Sequence, residues 1–278
     1  MLDLKLTLGA IIPSITGGND MYLENINDPS DIQKLNLDEL RILADETRDA
    51  LIHKISLAGG HNGPNLGMVE VTTALHYVFH SPIDKFVFDV SHQSYPHKIL
   101  TGRKQAFLDE EHFHDVTGYT NPEESEHDFF TIGHTSTSIS LALGLAKGRD
   151  LNHGKENIIA IIGDGSLSGG EALEALDYAG EYRNNLIIIV NDNDQSIAEN
   201  HGGLYKNLKE LRESNGNCTN NIFKSFGLEY HYLEDGHDLF KLVDLFNSVK
   251  DIDHPVVLHI HTIKGKGLAY AEKNREAW

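Results

Sequence analysis

Two side chains that could ligate a metal ion, Asp164 and Asn193, stand 29 residues apart, each at the end of an apolar run. The runs, Ile159–Ile162 and Ile188–Val190, are rich in β-branched residues and end in turn residues, a pattern typical of strands buried on both faces of a parallel sheet. A carboxylate and an amide oxygen are hard donors of the kind that Mg²⁺ prefers. The pattern therefore predicts a site for a magnesium-bound diphosphate at two strand ends.

The segment between these strands is predicted to be a helix. Apolar residues recur at spacings of three and four within Gly169–Tyr182, so the unit is strand, turn, helix, strand. A crossover between parallel strands is right-handed and brings both carboxyl ends to one sheet edge, where open α/β sheets bind ligands. We therefore expect Asp164 and Asn193 to lie close together, with the helix N-terminus after Ser166 favouring the negative charge of a diphosphate.

The remaining elements are predicted from apolar spacing and from turn residues. A glycine-rich loop, Gly59–Gly67, is expected to expose His61 and Asn62, and the hydroxyls before the helix that starts at Ser138 are expected to act as N-caps. The other expected elements are helices over Asp31–Ile55, Met68–Phe79 and Ser138–Arg149 and strands over Phe86–Val90 and Val256–Ile260. Neither an internal repeat nor a linker-like stretch divides the chain, so one domain is predicted.

Composition narrows the classes of function. The 278 residues hold 23 Lys and Arg against 42 Asp and Glu, a formal charge of −19, which disfavours non-specific binding to nucleic acid or to anionic membranes. No apolar run of about 18 residues predicts a membrane span. The single cysteine, Cys218, rules out an internal disulfide and favours a cytoplasmic location.

The order of several motifs resembles the thiamine diphosphate enzymes, and within them the 1-deoxy-D-xylulose-5-phosphate synthase family, a relative of transketolase. The signature of the superfamily opens with Gly-Asp-Gly, as at 163–165, and closes with an Asn, as at Asn193. The other matching blocks, in family order, are Gly59-Gly60-His61, Val69–Thr72, Asp89–Arg103, Gly133–Ser140, Asp235–Asp238 and Lys264–Gly267. The resemblance begins near Met21, so residues 1–20 are expected to be a leader or a family-atypical extension, and 21–278 a diphosphate-binding domain.

The resemblance implies a doubly wound, mostly parallel α/β sheet with helices on both faces, and thiamine diphosphate and Mg²⁺ as cofactors. It implies that Asp164, Asn193 and the backbone carbonyl of Gln195 ligate the metal. The residues implied to bind the cofactor are His92, Gly133, His134, Thr135, Ser136, Gly163, Asp164, Gly165, Ser166, Asn193 and Lys264. The alternative is that Asp164 is a helix cap and Asn193 a turn residue.

Three of the 17 histidines, His61, His92 and His134, lie inside matched blocks. Imidazole titrates near neutrality, so His61 and His92 are candidates for proton transfer to and from a substrate hydroxyl or carbonyl. His134 is expected to contact the cofactor, beside the hydroxyls of Ser136 and Thr137. The alternative, histidines with purely structural roles, stays open, and most of all for His97 and His237.

Two further residues have less certain roles. Lys264 follows the last strand, where an ammonium can reach a diphosphate as a point charge; the alternative is a solvated basic turn that also contains Lys266. Glu174 lies on the helix after the metal turn and is expected at an interface between two such domains, or else on a solvated face.

The resemblance also indicates what the chain lacks. In thiamine diphosphate enzymes a glutamate on a separate, pyrimidine-binding domain activates the cofactor, and that domain is absent here. It is expected from a partner subunit or from the rest of a longer chain, in a homodimer or a heterotetramer. Between Gly202 and Phe223 the family carries an insertion of several tens of residues, whereas this chain has a short polar segment.

The expected function is transfer of a two-carbon unit from pyruvate to glyceraldehyde 3-phosphate. One alternative is the N-terminal subunit of a split transketolase, with a ketose phosphate donor. Another is a non-catalytic cofactor-binding assembly subunit. A dinucleotide-binding Rossmann domain fits less well, because the segment after Gly163 lacks the third glycine of that fingerprint.

Overall fold

A computed structural model describes residues 21–195 and 200–274. In these ranges five strands form one parallel sheet in the order β1-β2-β3-β5-β4. The strands are β1 (Lys85–Phe88), β2 (Ile158–Gly163), β3 (Leu186–Asp192), β4 (Glu229–Leu233) and β5 (Pro255–His261). The predicted leader, residues 1–20, lies outside the described residues.

Helices cover both faces of the sheet. They are α1 (Pro29–Ile32), α2 (Leu37–Ala58), α3 (Asn62–Leu66), α4 (Val69–Val78), α5 (Tyr95–Lys98), α6 (Gln105–Leu108), α7 (Ser138–Leu151), α8 (Asp164–Leu167), α9 (Gly170–Glu181), α10 (Gly203–Glu213), α11 (Ile222–Ser225), α12 (Leu239–Val249) and α13 (Ala269–Lys273). No helix in the described ranges has the length and apolar character that crossing a membrane would require.

Alternate side chains of the central strands lie in two separate hydrophobic cores, one on each face of the sheet. Ile159 and Ile161 of β2 pack with α2, α4 and α12 on one face, whereas Ala160 and Ile162 pack with α7, α9 and α10 on the other. Side chains that alternate across a strand force this division, since both faces are covered by helices. The predicted doubly wound α/β fold is confirmed.

The helices expected over Asp31–Ile55 are confirmed as α1 and α2, and Asn36 caps the start of α2 by accepting from the backbone N–H of Asp38 and Glu39. Two other local expectations were wrong. The glycine-rich loop contains the short helix α3, and Asn62 is buried rather than exposed. The expected strand over Phe86–Val90 ends at Phe88.

Candidate functional site

The carboxyl ends of β1, β2 and β3 open into a cavity of about 830 Å³. Its walls come from seven segments, the largest contributions being the loop after α2, the turn after β1 and the turns after β2 and β3. The lining residues are Ile55, Gly59, Gly60, His61, Asn62, Pro64, Asp89, Val90, His92, Gln93, Tyr119, Thr135, Gly163, Asp164, Gly165, Ser166, Asn191, Asn193, Gln195 and Lys264. The expectation that Asp164 and Asn193 lie close together is confirmed, since both face this cavity.

Asp164 is the first residue of α8, a single turn that follows β2 directly. Its carboxylate is 2% exposed, and one oxygen accepts a hydrogen bond of 2.7 Å from the Asn200 amide. Burial, reinforced by the charge of Asp192, raises the pKa of Asp164 well above its usual value. A carboxylate held this far from water needs a positive partner to stay ionised, and a bound cation would supply it. The helix expected over Gly169–Tyr182 is confirmed as α9, and the single turn α8 precedes it.

Asn193 and Gln195 lie on a tight turn after β3. The Asn193 side-chain oxygen accepts from the Gln195 N–H at 3.2 Å, and Asp192 accepts from the Asp194 N–H at 3.0 Å. Asp194, between them, has a φ of +63°, a conformation that few residues other than glycine adopt. The turn therefore directs amide and carbonyl oxygens along one edge of the cavity.

Asp192 is fully buried behind this turn. Burial alone would raise the pKa of its carboxyl, but hydrogen bonding to His259 and the charge of Arg212 lower it to about 2. His259 in turn contacts the Tyr230 hydroxyl at 2.8 Å. Asp192 is therefore ionised and paired within the protein, unlike Asp164.

The donors available to a metal are oxygens. No group of three or more His, Cys, Asp or Glu side chains within residues 21–195 and 200–274 is arranged to hold a metal ion. The expected set of Asp164, Asn193 and the Gln195 carbonyl contains one carboxylate only, so a cation there would need further oxygens from a ligand. This donor chemistry suits Mg²⁺, which is commonly bound by one or two carboxylates together with substrate phosphates.

Asp89 is a site residue that sequence analysis missed. Its carboxylate, 1% exposed, accepts 2.9 Å hydrogen bonds from the backbone N–H of Ser136 and of Ser138, so it caps α7 from the end of β1. The expected hydroxyl caps were wrong: Thr137 makes no capping bond, and the Ser136 hydroxyl donates to the Ser166 carbonyl at 2.7 Å. An aspartate directly after a buried apolar run was the available signal.

His61 and His92 line the cavity side by side in edge-to-face contact, with ring centroids 5.4 Å apart. Burial, together with the nearby charges of His61 and Lys264, lowers the pKa of His92 to about 4. Burial also lowers the pKa of His61. Both rings are therefore neutral near pH 7, and a neutral imidazole can accept or donate a proton. Tyr119 packs edge-on against His61 at 5.4 Å and forms part of the same wall.

The other expected cofactor residues divide into two groups. Thr135, Gly163, Gly165, Ser166 and Lys264 line the cavity. Gly133, His134 and Ser136 belong to the approach to α7 without lining it; His134 is exposed, with Nδ1 2.8 Å from the Thr135 carbonyl.

His97 and His237 hold the fold together and do not line the cavity. His97 is fully buried between His76, 2.9 Å from its Nδ1, and Asp128, 3.0 Å from its Nε2. His237 contacts Glu70 at 2.9 Å, and its Nε2 accepts from the Ile263 N–H at 2.8 Å. The open question about these two histidines is resolved towards structural roles.

Unpaired buried polar atoms concentrate around the cavity. Five buried atoms, His61 Nδ1, His92 Nδ1, Asn62 Oδ1, Gln93 Oε1 and Gln195 Oε1, have no hydrogen-bond partner among the described residues, and all five residues line the cavity. Such atoms are costly unless a ligand or water satisfies them. A Cβ added at Gly163 would meet no protein atom within 4 Å, so the strand end leaves room for a ligand against the backbone. The cavity therefore fits a polar, diphosphate-bearing cofactor.

A parallel α/β domain with a polar cavity at its strand ends defines a class of fold, that of the transketolases. The transketolase of Campylobacter jejuni superposes with a TM-score of 0.69 at 19% identity, over 87% of this chain and 40% of that one. Transketolase from Leishmania mexicana gives a TM-score of 0.64 at 20% identity, over 82% and 37%. At these identities the likeness concerns the fold.

Sequence comparisons identify the family to which this chain belongs. The chain belongs to the 1-deoxy-D-xylulose-5-phosphate synthase family, whose sequence model matches residues 23–219 and 215–262. It is 41% identical to the 1-deoxy-D-xylulose-5-phosphate synthase of Alkaliphilus oremlandii, over 92% of this chain and 47% of that protein. It is 39% identical to 1-deoxy-D-xylulose-5-phosphate synthase 1 of Geobacter sulfurreducens, over 92% of this chain and 46% of that protein. The family consists of thiamine-diphosphate-dependent transferases, as the motif resemblance implied.

The chain spans about half the length of the curated relatives it matches. The alignment with the Alkaliphilus protein is 293 positions long although it includes 92% of a 278-residue chain, so that relative carries residues which this chain lacks. The match to the family also divides at residues 215–219. This division falls within the segment between Gly202 and Phe223, where a shortened sequence is expected.

Proposed function

We propose that this chain is the diphosphate-binding half of a transferase that moves a two-carbon unit from pyruvate to glyceraldehyde 3-phosphate with release of carbon dioxide. The observation that carries the proposal is the cavity that combines a buried carboxylate, Asp164, with two neutral histidines, His61 and His92. The family membership supports the same choice of substrates.

Thiamine diphosphate and Mg²⁺ would be held by the turns after β2 and β3. In this proposal Asp164, Asn193 and the Gln195 carbonyl ligate the metal. The backbone at 163–166, Thr135 and the ammonium of Lys264 hold the diphosphate. When bound, the cofactor supplies a nucleophilic carbon that carries the two-carbon unit.

The histidines act on substrate oxygens. In this proposal His92, neutral because of its burial, and His61 exchange protons with the hydroxyl and carbonyl groups of donor and acceptor. Tyr119 beside His61 helps to exclude water from that end of the cavity. A pyrimidine-binding domain, from a partner subunit or from the same longer chain, completes the site in a cytoplasmic homodimer or heterotetramer.

Calorimetric titration of thiamine diphosphate, with and without Mg²⁺, tests the cofactor site in the chain alone and in the chain combined with a pyrimidine-binding domain. We expect Mg²⁺-dependent binding that Asp164→Ala abolishes. Asp177→Ala removes the same charge from an exposed position on α9 and should leave binding unchanged. An intact, completed protein that fails to bind thiamine diphosphate in Mg²⁺ would refute the proposed site.

The donor is decided by a second assay on the completed protein. Release of carbon dioxide from pyruvate supports the proposal. Cleavage of a ketose phosphate without such release favours the split transketolase. Inactivity towards every donor, despite cofactor binding, favours an assembly subunit.

A further inference from the structure

Helix α10, together with Asn200 just before it, contacts both turns that form the proposed metal site. On the β2 side, the Asn200 amide donates to Asp164 at 2.7 Å, and the Tyr205 hydroxyl lies 3.2 Å from the Gly165 carbonyl and 2.8 Å from Ser168 Oγ. Leu208 and Leu211 anchor the helix in the hydrophobic core below. The helix is therefore fixed independently of its polar contacts with the site.

On the β3 side Arg212 contacts the turn through two hydrogen bonds. Its Nη1 donates to Asp192 at 2.5 Å and its Nη2 to Asp194 at 2.6 Å, while its own side chain is only 11% exposed. The two carboxylates flank Asn193 in sequence. A guanidinium is a rigid planar fork, so it fixes the separation of both partners at once.

The turn that Arg212 holds is not a relaxed one. Asp194 is in the left-handed region, with φ at +63°. Its side chain is 59% exposed and contacts Arg212. A conformation of this kind persists only where the surroundings impose it. Asn193 and Gln195, the neighbours of Asp194, both line the cavity.

We propose that Arg212 is a positioning residue for the metal site, which fixes the turn after β3 so that the Asn193 and Gln195 oxygens are directed at a divalent cation. The inference rests on the proposed function for the identity of the cation. If Arg212 acted only through its charge, it would repel Mg²⁺, and its removal would strengthen Mg²⁺ binding. If Arg212 positions the turn, its removal weakens Mg²⁺ binding, so the two explanations predict opposite changes in affinity.

The test compares three variants of the full chain. Arg212→Met removes the fork, Arg212→Lys keeps the charge but not the fork, and Lys209→Met removes a charge from the same helix. Lys209 is 64% exposed and pairs only with Glu213, at 3.8 Å among the described contacts, so it controls for net charge and helix stability.

Hydrogen–deuterium exchange without any ligand provides the first readout. For Arg212→Met we expect the amides of Asp194 and Gln195 to exchange about tenfold faster or more, with the β2 amides unchanged. Lys209→Met should match the original protein. Unchanged exchange at the turn would overturn the proposal, as would faster exchange that extends to β2, since that would indicate a general loss of stability.

The second readout is the Mg²⁺ concentration required for half-maximal binding of thiamine diphosphate by the protein combined with a pyrimidine-binding domain. We expect Arg212→Met to need about tenfold more Mg²⁺ and Arg212→Lys to fall between, because a misplaced ligand weakens a site by such factors. An equal or lower requirement for Mg²⁺ in Arg212→Met contradicts positioning. If the original protein binds no thiamine diphosphate, the proposed function fails, and the exchange result still decides whether Arg212 orders the turn.

Discussion

The Asp89 cap offers a quantitative test of how the site is assembled. The substitution is Asp89→Asn, which keeps the shape of the side chain but replaces one acceptor oxygen by an NH₂ group. In the folded protein both carboxylate oxygens are used, one by the Ser136 N–H and the other by the Ser138 N–H, each at 2.9 Å. One of these donors would then face another donor in a position that is 1% exposed.

Hydrogen bonds to charged groups contribute about 1.5–3 kcal/mol each, and a buried donor left unpaired costs a similar amount. Losing one of the two bonds, and the favourable interaction of a negative charge with the N-terminus of α7, should therefore cost about 3 kcal/mol. The free energy of unfolding from urea titrations measures the loss. The same substitution should weaken thiamine diphosphate binding, because Thr135 lines the cavity on the segment that Asp89 holds.

Asp238→Asn is the matched control. Asp238 caps α12 through one backbone bond, to the Lys241 N–H at 3.2 Å, and its side chain is 26% exposed. Asparagine caps helices about as well as aspartate, so a change of less than about 0.5 kcal/mol is expected. A cost for Asp89→Asn below about 1 kcal/mol, or no greater than that of the control, would show that the reasoning about the cap is wrong.

Two further outcomes follow from packing and from burial. Gly180→Ala should destabilise the chain by several kcal/mol, because the added Cβ would lie 2.0 Å from the Phe226 carbonyl oxygen. Gly148→Ala should stabilise the chain by about 0.5–1 kcal/mol, because a Cβ added there would meet no atom of the described residues within 4 Å. Equal changes in Tm for the two variants would contradict this reasoning. The pKa of His92 is lowered to about 4 from an unfolded value near 6.5, so its contribution to stability is complete above pH 6.5 and is lost as the pH falls towards 4. The free energy of unfolding of the original protein should therefore fall about 3 kcal/mol further than that of His92→Asn between pH 7.5 and pH 4, and parallel pH curves would refute the burial argument.

The limits of sequence reasoning are visible at particular elements. β2, β3 and β5 were predicted because a central strand covered on both faces is apolar at every position, which leaves a strong local signal. β4 was not predicted: its sequence, Glu-Tyr-His-Tyr-Leu, is largely polar, and it pairs only with β5 at the edge of the sheet. Backbone hydrogen bonds to β5 hold β4 in the sheet, although the sequence of β4 alone does not predict a strand.

The two candidate histidines of the block after β1 show the same limit at the site. The sequence favours His92 over His97 as a functional candidate but leaves the role of His97 open, and the structure places His92 on the cavity wall and buries His97 between His76 and Asp128. Left-handed conformations at Val90 and Ser91, with φ of +56° and +67°, turn the chain between β1 and α5. No local pattern around Val90 indicates such a conformation, because a β-branched residue normally avoids it.

The sequence by itself determined the class of fold, the family and the turns that carry Asp164 and Asn193, since apolar periodicity and ordered motifs are properties of contiguous residues. Only the tertiary structure decided that Asp89 caps α7, that Asp164 is buried while Asp192 is paired, and that Arg212 contacts the turn after β3. Each of these depends on groups distant in the chain, or on burial, and pairings and burial of this kind arise only when the helices close over the sheet.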